Sequence, residues 1–234
     1  MDINTVVIIA FYLVILLYSV ILHEVAHGLA ALRLGDRTAQ LAGRLTLNPR
    51  SHIDPLGSII LPLGMLILTG FRFAFGWAKP VPYNPFNLRG GTAAEVAVAL
   101  AGPATNFALA AVATAVAKSL SLTASLKMGI LSGVMSADWG AVAELIAGSL
   151  GAILYLFCVI AIFWNVLLGV FNLLPFPPLD GSKLLYALVP ISDKTKFVLE
   201  QYGFFILLGL ILLFPGPLSA LLQIVWGLFF ALSI

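Results

Sequence analysis

Three side chains able to bind a metal or move a proton fall within five positions near the start of the chain, in His23-Glu24-Val25-Ala26-His27. Residues four apart on a helix share one face. The two imidazoles can therefore converge on one Zn2+ at about 2.0–2.1 Å each. Glu24 stands about 60° round the helix from His27, given a step of about 100° per residue. From there its carboxylate can take a proton from water beside the ion instead of binding the ion. A catalytic zinc ordinarily has three protein ligands and one open position, so one more donor is required. His52 is the only other histidine, and Asp180 follows Pro175, Pro177 and Pro178 in Leu179-Asp180-Gly181. Each also has an ordinary explanation. His52 could be an interfacial histidine, and Asp180 a turn residue or a cap for the amphipathic stretch Ser182–Val189.

The elements that must position these groups are apolar. Of 234 residues, 61% are hydrophobic and 9% charged. Soluble domains carry about 45–50% apolar and about 25% charged residues. A water-soluble fold is thus excluded, and disorder with it, because disorder needs low hydrophobicity. Twelve Lys and Arg against ten Asp and Glu give a net charge of +2, too weak to point to nucleic acid. Cys158, the single cysteine, can make no intrachain disulfide.

Apolar runs near the roughly 20 residues needed to cross a bilayer cover about 3–34, 55–75, 93–117, 145–171, 197–214 and 218–234. The first has no Lys or Arg ahead of it and is too long for a signal peptide. The second contains Pro62, Gly64 and Gly70. If it enters and returns on one side, Arg33, Arg37, Arg44, Arg50, Lys79, Arg89, Lys183, Lys194 and Lys196 share a face. Lys118 and Lys127 then lie opposite, with Arg72 near the turning point. That asymmetry matches the positive-inside rule.

The expected fold is an all-α polytopic membrane protein. It has about five full transmembrane helices plus this re-entrant or sixth helix, an outside N-terminus and a cytoplasmic C-terminus. Pro215-Gly216-Pro217 predicts a tight turn in a C-terminal helical hairpin, 197–234. Alternation over Leu41–Asn48 predicts a short strand, and Pro80, Pro82 and Pro85 make 76–87 extended or turned. No loop is long enough for a further domain, so residues 1–234 are expected to form one domain with its core in 1–190.

His23-Glu24-Val-Ala-His27, followed by Asn172-Leu-Leu-Pro-x-Pro-Pro-Leu-Asp180-Gly181, resembles the site-2 protease family of intramembrane zinc metalloproteases. Ala101-Gly102-Pro103-Ala104-Thr105-Asn106 fits that family's Gly-x-x-x-Asn element, and Gly76-Trp-Ala-Lys-Pro-Val-Pro82 is similar to its compact prokaryotic members. The resemblance covers roughly residues 16–190. It implies that His23, His27 and Asp180 bind one zinc, that Glu24 is the general base, and that Asn172 helps hold the oxyanion. Asn106 would be a contact near the site, while His52 and Asp54 keep no assigned role. The implied activity is endoproteolysis within or near transmembrane segments of membrane-protein substrates. The implied setting is a prokaryotic cell membrane, with the site toward the cytoplasm. The PDZ or CBS domain of many relatives has no counterpart here, nor does a span ahead of the His-Glu-x-x-His helix. An unwound substrate could add as a strand to Leu41–Asn48 or to 76–87. Competing readings are a metal-dependent hydrolase of lipid or prenylated peptide, an inactive relative, and a metal transporter. A transporter should carry ligands on several spans; the fourth and sixth runs have no charged or histidine ligand, and the fifth has only Glu200 near its start.

Overall fold

The computed structural model describes residues 3–68, 76 and 78–234. Arg72, Trp77 and the turning point of the second apolar run lie outside the described residues. The chain divides into two compact units, residues 20–102 and residues 1–19 with 103–234.

The second apolar run is set out within the unit formed by 20–102. Helix α1 (Ile3–Arg33) ends in this unit, where Gly35 takes φ +108° and turns the chain. Short helix α2 (Thr38–Leu41) follows. A π-helical turn, Pro55–Ile60, then runs into α3 (Leu61–Leu68). Together Pro55–Leu68 would be about 21 Å long at 1.5 Å per residue, too short for a core of about 30 Å. The Lys79 N–H donates to the His52 carbonyl at 2.9 Å. A Cβ on Gly76 would stand 2.5 Å from the Gly57 carbonyl oxygen and 2.6 Å from the Pro62 ring. Residues 76 and 79, which follow the run, thus lie beside residues 52, 57 and 62 near its start, as a re-entrant segment requires.

The strand expected over Leu41–Asn48 does not form, and there is none among the described residues. Leu41 closes α2, Gly43 turns at φ +65°, and the Arg44 N–H bonds back to the Ala39 carbonyl at 2.9 Å. Local turn bonds satisfy the backbone that a ladder would have used. Residues 78–84 are extended, and helix α4 (Gly91–Ser119) begins after a 3-10 turn at Pro85–Asn87.

The other unit is a helical bundle built on α7. It contains α5 (Ala124–Met135), α6 (Trp139–Ile146), α7 (Leu150–Asn172), α8 (Gly181–Leu188), α9 (Asp193–Leu213) and α10 (Pro215–Ser233). Thr123, Asp138 and Ser149 start α5, α6 and α7 by accepting a backbone N–H of the first turn. Tyr155, Leu156, Val159, Ile160, Ile162 and Val166 of α7 form the buried centre. The start of α1 lies along the start of α7: the Phe11 and Phe157 rings are 4.9 Å apart, and those of Tyr12 and Trp164 5.1 Å.

The C-terminal elements depart from expectation. Pro215, Gly216 and Pro217 do not form a turn between helices. They are the first turn of α10, with proline at the position it favours, and Phe214 alone separates α9 from α10. Helix α10 runs antiparallel to α7. Trp226 Nε1 donates to the Phe163 carbonyl at 3.1 Å, and Ser233 Oγ lies 3.4 Å from the Tyr155 hydroxyl. Buried Lys127 ties this end together, its Nζ donating to the carbonyls of Ala117 (2.9 Å) and Ser233 (3.2 Å). The last turn of α10 thus lies at the end of the bundle where α1 begins. The expectation that these ends face opposite sides is corrected.

Among the described residues five helices, α1, α4, α7, α9 and α10, are long and apolar enough to cross a bilayer. The chain is a multi-pass membrane protein of all-α class.

Candidate active site

The two histidines of α1 are buried, and their Nε2 atoms lie 3.0 Å apart. His27 Nδ1 sits 2.7 Å from the Val98 carbonyl oxygen in α4. A carbonyl only accepts, so Nδ1 carries the proton and Nε2 presents its lone pair toward His23. Pro103 has no N–H for the Ala99 carbonyl one turn earlier, so α4 is loosened beside the carbonyl that His27 uses.

Two Zn–N bonds of about 2.0–2.1 Å at a tetrahedral angle would separate their nitrogens by about 3.4 Å. The observed pair is close to that separation. Across from it, α4 presents bare backbone. A Cβ on Gly102 would collide with His27 Nε2 and stand 2.6 Å from His23 Cε1 and Nε2. The convergent ring nitrogens and the missing side chain opposite them fit a zinc ion.

Glu24 is half-buried next to this pair, and its Oε2 accepts the Val81 N–H at 2.8 Å. The extended segment around Val81 is in turn pinned by polar groups. Arg44 Nη2 donates to the Lys79 carbonyl at 2.7 Å, and His52 takes the Lys79 N–H on its own carbonyl. The His52 ring donates from Nε2 to the Thr46 carbonyl at 2.8 Å, while its buried Nδ1 has no hydrogen-bond partner. Asp54 caps the π-helical turn through the Gly57 N–H at 2.7 Å. Between 79 and 82 both backbone N–H groups are engaged, and Pro80 and Pro82 have none. The donor half of a strand pairing on this stretch is therefore already occupied.

Asp36 closes the same unit. Its buried carboxylate accepts from Thr38 N–H (3.1 Å) and Oγ1 (2.6 Å), Asn87 Nδ2 (2.9 Å) and Asn84 N–H (2.7 Å). Burial pushes this carboxyl up, but the hydrogen bonds from Thr38, Asn87 and Asn84 outweigh it and hold the group below its ordinary value.

In the bundle unit, α7 ends at Asn172, and residues 173–180 lead through the prolines to Asp180. A Cβ on Gly181 would strike the carbonyl of Leu173 and come within 2.5 Å of that of Leu174. The loop is folded back that tightly. Asp180 occupies the N-cap position of α8, yet its side chain makes no capping bond. The helix-cap explanation for this residue therefore fails. Asn172 donates from Nδ2 to the Leu168 carbonyl at 3.0 Å. One of its two amide hydrogens is thus spent on its own helix.

The comparisons with known proteins agree with this chemistry. Residues 11–212 match the sequence profile of peptidase family M50. The chain belongs to that family. It is similar to YwhC of Bacillus subtilis (strain 168), a protein provisionally named a zinc metalloprotease. The two are 38% identical over 211 residues, which is 89% of this chain and 82% of YwhC. Rip2 of Mycolicibacterium smegmatis carries the same provisional description and is 31% identical over 84% of this chain and 64% of its own length. Rip2 of Mycobacterium tuberculosis (strain H37Rv) is 32% identical, over 86% and 65%. No solved structure matches the chain. This M50 peptidase is a zinc metalloprotease of site-2 type, and zinc is its cofactor.

Several residues of the M50 site region carried no role in the sequence reading. The Val98 carbonyl and the Val81 N–H are backbone groups, which residue types do not reveal. Asn165 had a signal: it is an amide inside an otherwise apolar span. It is buried and bonded to Asn106, at Nδ2–Oδ1 2.8 Å.

Proposed function

We propose that the chain is an intramembrane endopeptidase that hydrolyses peptide bonds within or near the transmembrane segments of membrane-protein substrates. In this reading His23, His27 and Asp180 hold the zinc. The observation that carries it is Asp180: a carboxylate placed after the prolines that does not cap α8. In this reading it supplies the third ligand beside the two imidazoles of α1. Two imidazoles and one carboxylate suit zinc.

Zinc bound there acidifies water and polarises the scissile carbonyl. Glu24 then accepts a proton from water and passes it to the leaving nitrogen. Its Oε2, held by the Val81 N–H, leaves Oε1 as the natural proton acceptor. Asn172 keeps one amide hydrogen beyond its bond to Leu168, and that hydrogen is the donor proposed for the oxyanion.

Arg33, Arg37, Arg44, Arg50, Lys79, Arg89, Lys183, Lys194 and Lys196 lie on the cytoplasmic side of a prokaryotic cell membrane in this reading. One domain carries the whole activity.

Purified protein with a panel of membrane-peptide substrates tests the reading. Cleavage should cease with a chelator and return with zinc. Glu24→Gln should slow cleavage by about 10²–10⁴-fold, the usual worth of a general base. Hydrolysis of lipid esters with no peptide cleaved would contradict it.

A further inference from the structure

One turn before His23, three buried polar side chains from three helices meet in the apolar bundle: Ser19 of α1, Asn106 of α4 and Asn165 of α7. Asn106 Nδ2 donates to Asn165 Oδ1 at 2.8 Å and to the Ser19 carbonyl at 3.4 Å. Asn165 Nδ2 donates to Ser19 Oγ and to the Ala161 carbonyl, each at 2.9 Å. Ser19 Oγ in turn donates to the Ile15 carbonyl at 2.8 Å. The bonds form one connected network across three helices.

Packing alone does not fix the register of apolar helices in lipid, because sliding one along another costs little hydrophobic free energy. A buried amide network does fix it. Moving one helix by a residue shifts it about 1.5 Å and turns it about 100°, which would leave buried amides unpaired. A single buried polar contact sets helix register in the same way in coiled coils.

The position of this network relates it to the metal ligands. Ser19 lies one turn before His23 on the same face of α1, and its carbonyl is the helical acceptor for the His23 N–H. Asn106 lies one turn after Gly102, the one position whose missing Cβ admits the two imidazoles. A slip of one position in α4 would bring the Ala101 methyl or the Pro103 ring to that place. The imidazole site therefore depends on the register of α4, and the network is a second polar contact between α1 and α4, beside that of His27 with the Val98 carbonyl. Asn165 lies two turns before Asn172 on α7.

We propose that Asn165 is a positioning residue, and that the Ser19–Asn106–Asn165 network sets the register of α1, α4 and α7 on which zinc binding depends. The inference rests on His23 and His27 being zinc ligands. Zinc binding by the purified full chain, with Co2+ absorption as a second probe, tests it without a substrate. Asn165→Leu should weaken zinc binding at least about 10-fold, as loss of groups that orient ligands does elsewhere, and should alter the cobalt spectrum. The double variant Asn106→Leu/Asn165→Leu leaves neither amide unpaired. It should recover thermal stability toward wild type while zinc binding stays weak. Ser19→Ala should weaken binding less, and Ser19→Thr, which keeps the hydroxyl, should bind zinc as the wild type does. Wild-type zinc affinity in a folded double variant would overturn the proposal and leave the ligand reading standing. A wild-type chain that binds no zinc would overturn both.

Discussion

Two non-helical stretches, one in each unit, carry Val81 and lead to Asp180, and they solve the same problem differently. Backbone at membrane depth must find partners inside the protein. The stretch 78–84 finds them in side chains and carbonyls from distant positions: Arg44, His52, Glu24 and Asp36. The stretch 173–180 finds them locally, in short turn bonds such as Phe176 N–H to Leu174 and Leu179 N–H to Phe176. Close approach completes it, with Gly181 against the Leu173 and Leu174 carbonyls and Gly203 against the Pro177 backbone. The first stretch is held by reach and charge, the second by the absence of side chains. Glu24, the carboxylate proposed to move a proton, is served by the first, and Asp180, the carboxylate proposed to bind metal, by the second. One must move a proton during turnover, while the other must stay fixed.

The comparison can be broken by substitutions that act on one stretch only. Gly181→Ala forces a methyl into backbone carbonyls that cannot yield, and should cost about 3 kcal/mol, the upper part of the range for overpacking. Chemical denaturation would read this, and a loss under about 0.5 kcal/mol, the range of ordinary surface changes, would show that the loop is not closely packed. Arg44→Met removes the donor to the Lys79 carbonyl and should cost about 1.5 kcal/mol, the lower figure for a charged hydrogen bond. It should also loosen 78–84 in hydrogen exchange while leaving 173–180 protected. Equal loss of protection in both stretches would erase the distinction.

The smallest effect belongs to Asp36. Its folded carboxyl binds a proton less readily than the unfolded one, so the unfolded state takes up more protons as pH falls. Its contribution is complete above the ordinary carboxylate range and is lost as pH drops through the lower, folded value. Asp36→Asn should flatten that part of the pH–stability curve, measured by thermal unfolding between neutral and acid pH. An unchanged acid slope would remove Asp36 from the account.

The all-α membrane class, the His23/His27 pair with Glu24 beside it, and the re-entrant run were legible because each rests on residue type and period. Pro62 and the uneven spread of positive residues pointed to a second run that returns to the side it entered. The strand over Leu41–Asn48 was misread because alternation cannot see Gly43 closing a turn. Pro215-Gly216-Pro217 was misread because proline begins helices as readily as it ends them. The direction of α10 follows instead from contacts far apart in sequence, such as Trp226 with Phe163 and Lys127 with Ser233. Gly102 was visible as a motif residue, but its purpose was not. A side chain that must be missing leaves no trace in composition.

The central claim is that one zinc is held by His23, His27 and Asp180. Zinc content and affinity of purified wild type, His23→Ala, His27→Ala and Asp180→Asn, measured side by side with the Co2+ spectrum of each, test it most directly. The account predicts one zinc per wild-type chain, no retained zinc in either histidine variant, and at least about 10-fold weaker binding with an altered spectrum for Asp180→Asn. An Asp180→Asn protein that binds zinc with wild-type affinity and an unchanged cobalt spectrum would contradict it.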